Sequence, residues 1–99
     1  MVSPEFVGGP QALSAFLRRN IRYPAKCQKE GIQGTVFLKF KVLKTGAVGD
    51  ITIIKEPHPD LAKEALRVVK LSPGWKIGYY RGVPTEILCN LPVRFVLDN

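Results

Sequence analysis

Ninety-nine residues make one domain with room for one modest core, since a chain this short buries roughly 60–65% of the surface its unfolded form exposes. Hydrophobic residues supply 45% of the sequence, which excludes extended disorder, and no run approaches the ~18–20 apolar residues that span a bilayer. Fifteen Lys and Arg against eight Asp and Glu give a formal charge of +7, which favours acidic partners. The charge is spread over groupings such as Arg18-Arg19-Arg22-Lys26-Lys29 and Lys39-Lys41-Lys44, so it also describes the solvated faces of a helix and a strand.

The opening Met1-Val2-Ser3-Pro4-Glu5 has neither the basic nor the apolar region of a signal peptide. It is the start expected of a cytosolic protein or of a chain whose targeting segment has been removed. Residues 1–10, with Pro4, Gly8, Gly9 and Pro10, read as an extended N-terminal arm, and residues 11–99 as the folded domain. In the first helix Leu13, Phe16, Leu17 and Ile21 recur at amphipathic spacing. Pro24 disfavours helix at Tyr23, which ends this element near Asn20–Tyr23. A short second helix from Ala25 to Glu30 stops at Gly31.

Residues 34–43 then alternate. Val36, Leu38, Phe40 and Val42 face a core, while Phe37, Lys39 and Lys41 face away. The turn Lys44-Thr45-Gly46-Ala47 leads into a return strand over 48–55, carrying Ile51 and Ile53 inward. Glu56-Pro57-His58-Pro59 breaks the pattern, and Asp60 sits where an acid suits the start of a helix. The stripe Leu61, Ala62, Ala65, Leu66 and Val69 is apolar, and Ser72-Pro73-Gly74 ends the helix. Trp75 to Pro84 reads as a loop or short extended piece. Residues 85–97 form a third strand, with Ile87, Cys89, Leu91, Val93, Phe95 and Leu97 on one side. This is an α+β pattern: a small three-stranded antiparallel sheet packed against two main helices. Pro92 cannot donate a ladder hydrogen bond, so the last strand belongs at the sheet edge.

Little in the sequence supports catalysis. His58 lies between two prolines and reads as a surface-turn residue; Cys27 as a nucleophile would need that histidine beside it. Cys27 and Cys89 have no metal-ligand spacing and read either as one disulfide or as two separate thiols. The carboxylates, Asp98 among them, are scattered. No enzyme activity, metal, cofactor or small-molecule substrate is expected. Nucleic-acid binding is not expected either, because Phe40 shares the core face and only Phe37 lies with Lys39 and Lys41.

Taken together, the chain resembles the TonB C-terminal domain family, in the form common to Bacteroidetes-type sequences. The resemblance rests on the lead-in Glu5-Phe6 through Asn20-Ile21 and Tyr23-Pro24, then Gly31-Ile32-Gln33-Gly34-Thr35-Val36, Gly46 with Val48, and Glu64-Ala65-Leu66. Pro73 with Trp75, Gly82 with Pro84, and Leu91-Pro92-Val93 with Phe95 complete it. Cys27 and Gly74 depart from the residues usual at their positions. The resemblance implies the periplasmic part of an inner-membrane energy transducer that works with ExbB and ExbD through an N-terminal anchor. It further implies that an extended TonB-box peptide of an outer-membrane transporter is added to the last strand. A similar module also ends other envelope proteins, including sensor metallopeptidases. By position, Glu86, Leu88, Asn90, Arg94 and Val96 would receive the peptide. Asn20, Arg22 and Tyr23 would flank it, and Arg18 and Lys26 would offer charge to acidic groups. An open edge also permits a strand-swapped homodimer of the isolated fragment.

Overall fold

A computed structural model describes residues 4–72 and 74–97, so Pro73, Asp98 and the first three residues of the N-terminal arm lie outside the described residues. The chain order is β1 (Glu5–Phe6), α1 (Gly9–Asn20), α2 (Ala25–Lys29), β2 (Gly34–Val42), β3 (Val48–Lys55), α3 (Pro59–Lys70), β4 (Trp75–Lys76), β5 (Gly78–Tyr80), β6 (Val83–Thr85) and β7 (Ile87–Phe95). The main sheet is antiparallel in the order β3-β2-β7, which leaves β7 at one edge. Its register pairs Gly34 with Phe95 at one end and Val42 with Ile87 at the other.

Alternation puts Val36, Leu38, Phe40 and Val42 of β2 and Leu91, Val93 and Phe95 of β7 into one buried layer. α3 closes that layer with Leu61, Ala62, Ala65 and Val69. The sequence stripe assigned Leu66 to this face. The structure instead buries Val68 fully and leaves Leu66 partly covered, because Val68 turns toward a second cluster with Phe6 and Phe16. Trp75 joins the two clusters, its ring centroid lying 5.2 Å from Phe40 and 5.5 Å from Phe6.

The N-terminal arm is tied down: Glu5 pairs with Lys76 and Phe6 with Trp75, and helix α1 begins at Gly9. The segment 75–84, expected as a loop, contains three short strands. β5 and β6 form a tight hairpin whose central residues Arg81 and Gly82 both have positive φ (52° and 78°), the conformation of a two-residue type I′ turn. The register shift between Phe37 and Leu38 in the β2–β3 pair leaves Ile54 unpaired on the outer side, where it is 57% exposed.

Gly46 couples the β2–β3 hairpin to β4. Its φ is +88°, its N–H donates to Leu43 O at 2.9 Å, and its carbonyl accepts from Trp75 N–H at 3.1 Å. A Cβ placed there would come within 2.9 Å of the Trp75 carbonyl oxygen. Gly46→Ala therefore combines a left-handed backbone with a backbone collision, and is expected to cost about 1–3 kcal/mol. Urea unfolding checks this: the midpoint should fall with the slope unchanged.

A candidate peptide-docking edge

Proline in mid-strand is accommodated where its nitrogen turns away from the neighbouring strand. Pro92 lies opposite Phe37 in the β2–β7 register. Strand alternation then turns the backbone groups of Leu88, Asn90, Arg94 and Val96 toward the open edge, while Cys89, Leu91, Val93 and Phe95 bond to β2. The edge thus offers a row of unpaired donors and acceptors, interrupted at one donor by Pro92 itself.

A groove of about 420 Å³ runs between α1 and the C-terminal half of this edge. Leu17, Ile21, Tyr23 and Phe95 give it an apolar floor, and Arg18 and Arg94 line it with positive charge. Tyr23 is held on both sides. Its ring meets Phe95 edge-on at 5.7 Å between centroids, and its hydroxyl donates to the Ile32 carbonyl. Burial, and then the neighbouring Cys27, push the Tyr23 phenol above its ordinary pKa, so it remains a neutral donor.

The connection from α1 to α2 is fixed from α3. Arg67 donates Nε to Glu64 Oε1 at 2.8 Å and Nη2 to Glu64 Oε2 at 2.6 Å, and the same Nη2 donates to the Asn20 carbonyl at 2.7 Å. Glu64 Oε2 also accepts the backbone N–H of Arg22 at 2.6 Å. One charged pair on α3 therefore binds the end of α1 and the first residue before the Tyr23-Pro24 corner.

Of the residues expected to meet a partner, Arg18, Tyr23, Arg94 and Val96 come together in the groove. Leu88 and Asn90 lie exposed further along β7, and Glu86 precedes it. Asn20 and Arg22 serve the connection: the Asn20 amide donates to Phe16 O at 2.8 Å, and Arg22 borders a separate depression beside Glu64 and Arg67. Lys26 is exposed on α2 and is not among the residues lining the groove. Sequence reasoning missed Ser14 on the wall and read Leu17 and Ile21 only as part of an amphipathic stripe. Leu17 and Ile21 are only partly buried, so the same stripe serves the core on one side and the groove on the other.

The reading of His58 changes most. It is half-buried, caps α3 by accepting the Asp60 N–H on Nδ1 at 3.1 Å, and lies 3.6 Å from Cys27 Sγ through the same nitrogen. Both cysteines are free; Cys27 is fully buried and Cys89 partly so. Burial, and then the carboxylates of Asp60 and Glu30, raise the Cys27 pKa, which keeps it a thiol rather than an activated nucleophile.

These features define a small α+β domain with helices over one face of a three-stranded sheet and an open terminal strand beside a cationic groove. The chain belongs to the family described as Gram-negative bacterial TonB protein C-terminal, which matches residues 19–97. Its fold is similar to the NMR solution structure of Helicobacter pylori TonB-CTD (residues 194–285), with a TM-score of 0.69 at 22% identity over 90% of this chain and 94% of that one. A longer form of that domain (residues 179–285) aligns with a TM-score of 0.65 at 23% identity, over 87% of this chain and 78% of the other. No curated protein matches the chain.

Burial opposes ionisation of Glu64, but the hydrogen bonds from Arg67 and Arg22, with their charges, outweigh it and lower its pKa. A carboxylate lowered below its unfolded value of about 4.3 adds stability that is present above that pH and is lost as pH falls through the folded value. Urea unfolding above and below that range should show the native protein losing more stability on acidification than Glu64→Gln. At neutral pH the variant should be weaker by about 1.5–3 kcal/mol, the worth of hydrogen bonds to a charged group.

Proposed function

We propose that this domain is the periplasmic C-terminal part of a TonB-type energy transducer, and that it holds the TonB-box peptide of an outer-membrane transporter as an added strand on β7. The observation that carries this reading is the open edge of β7 running along the groove of Arg18, Tyr23 and Arg94. An extended peptide laid there takes main-chain hydrogen bonds from the outward groups of Leu88, Asn90, Arg94 and Val96. Alternate side chains reach the apolar floor. The arginines favour acidic groups on the peptide and speed encounter more than they deepen affinity.

The arrangement suits a mechanical task. Ladder bonds lie across the strand direction, so a pull along the peptide loads several of them together. The wall of the groove is braced by the Glu64–Arg67 pair, so load passes into α3 and the main core. In this reading the transducer is tethered to the inner membrane with ExbB and ExbD through segments beyond this domain. The energy it delivers derives from the proton gradient and serves nutrient uptake.

NMR titration of the labelled domain with transporter N-terminal peptides tests the proposal. Shifts should concentrate at residues 86–96 and at Arg18 to Tyr23. Asn90→Pro removes one further outward donor without touching the β2 ladder; it should weaken binding about five- to tenfold, the worth of one net hydrogen bond, and leave the fold unchanged. Shifts confined to other surfaces, or an unaffected Asn90→Pro, would overturn strand addition at β7. Concentration-dependent shifts at the same residues without peptide would reveal the strand-swapped homodimer instead.

A further inference from the structure

Outside the groove, the fold gathers three side chains of different chemistry at the start of α3. Cys27 Sγ, a His58 ring nitrogen and an Asp60 carboxylate oxygen all lie within 4.8 Å of one another, with Sγ 3.6 Å from Nδ1. They come from α2, from the residue capping α3 and from its first turn. Because Asp60 N–H donates to His58 Nδ1, that nitrogen carries the ring's lone pair, and Cys27 Sγ lies 3.6 Å from the same nitrogen. The Asp60 carboxylate has no ion pair among the described residues, nor does Glu30 nearby, in a chain of net charge +7.

We propose that Cys27, His58 and Asp60 form a binding site for a divalent zinc-class metal ion. The 3.6 Å between Sγ and Nδ1 matches the span of two ligands bonded to zinc at about 2.3 and about 2.05 Å in tetrahedral geometry, which is about 3.5 Å. The Asp60 carboxylate, within 4.8 Å of the other two donors, supplies the third ligand, and the half-exposed His58 and Asp60 leave the fourth position to water. A thiolate ligand excludes calcium and magnesium, and the mixed sulfur, nitrogen and oxygen set suits zinc.

On binding, the Cys27 S–H bond breaks, its proton passes to solvent, and a sulfur–metal bond forms. The imidazole lone pair transfers from the Asp60 N–H to the metal. One thiolate and one carboxylate then balance the ion's two charges. The neutral complex escapes the opposition that a bare cation would meet at the N-terminal end of a helix. The site would clamp α2 to α3 directly behind the Tyr23-Pro24 corner, linking metal supply to the rigidity of the groove wall.

Cobalt(II) titration of the untagged, reduced domain tests this, with zinc competition as the second arm. One cobalt ion per chain should produce a thiolate-to-metal charge-transfer band and the strong visible bands of tetrahedral cobalt, both removed by zinc. The bands should vanish in Cys27→Ala and in His58→Asn, where asparagine keeps the helix cap. They should persist in Cys89→Ser and need at least tenfold more metal in Asp60→Asn. Absence of the thiolate band in the native protein, its survival in Cys27→Ala, or its loss in Cys89→Ser would overturn the site. If Cys27→Ala fails to fold by circular dichroism, the Asp60→Asn and Cys89→Ser pair decides, since neither side chain is fully buried: unaltered cobalt affinity in Asp60→Asn would overturn the assignment.

Discussion

The structure depends on where Trp75 sits. A domain of this size cannot enlarge a single core, and part of its apolar surface gathers in a second cluster of Phe6, Phe16 and Val68. Trp75 solves this by standing between two apolar clusters. One side packs on Phe40 of the sheet, and the other meets Phe6 edge-on, which in turn contacts Phe16 of α1 at 5.4 Å. The indole N–H donates to Ser72 Oγ at 3.3 Å, and that hydroxyl donates to the Val69 carbonyl at the end of α3, so the ring is fixed by polar as well as apolar contacts. Together with Leu13 and Ile21, which pack on both clusters, it gives α1 a definite place against the sheet, and with it the groove between α1 and β7 acquires a width.

α3 divides its labour along its length. Its buried stripe holds the sheet, while Glu64 and Arg67 on the opposite side hold the chain between α1 and α2. The N-terminal end carries His58 against Cys27, so α2 is also referred to the same helix. The three elements that shape the groove wall therefore share one rigid reference. The proposed function calls for this, because a wall anchored only by loop contacts would yield under load before the strand bonds did.

The long elements were legible because their periodicity is strong. Nine residues of strict alternation in β2 and another nine in β7 specify faces unambiguously, and Pro92 alone placed β7 at an edge. The two- and three-residue strands β1, β4, β5 and β6 were not legible, since so few residues carry no period. β1 and β4 pair because Phe6 and Trp75 meet in the second cluster, a tertiary decision invisible to local patterning. The same holds for Cys27 and His58, which lie 31 residues apart and come together only when α2 and the α3 cap dock. Val68 replaced Leu66 in the buried stripe for a related reason: a second cluster rotates the demand on α3, and a sequence stripe computed for one core cannot register two.

An open strand edge is ordinarily a hazard, since it can pair with any other exposed strand. Here the hazard is limited by the residues that, in the proposed reading, also make the edge selective. Pro92 removes a donor from the middle of the row, so two copies pairing along their full lengths would each leave carbonyls unmatched. Arg94 and Glu86 put charge on the strand and just before it, and the arginine rim disfavours a second copy of so basic a chain. In the proposed reading an acidic extended peptide also forgoes one hydrogen bond at Pro92, but it escapes the charge obstacle: it gains from Arg18 and Arg94 and can place apolar side chains on Leu17 and Tyr23. In the proposed reading the positive charge that keeps a second copy off the edge is also what gives an acidic strand the advantage there.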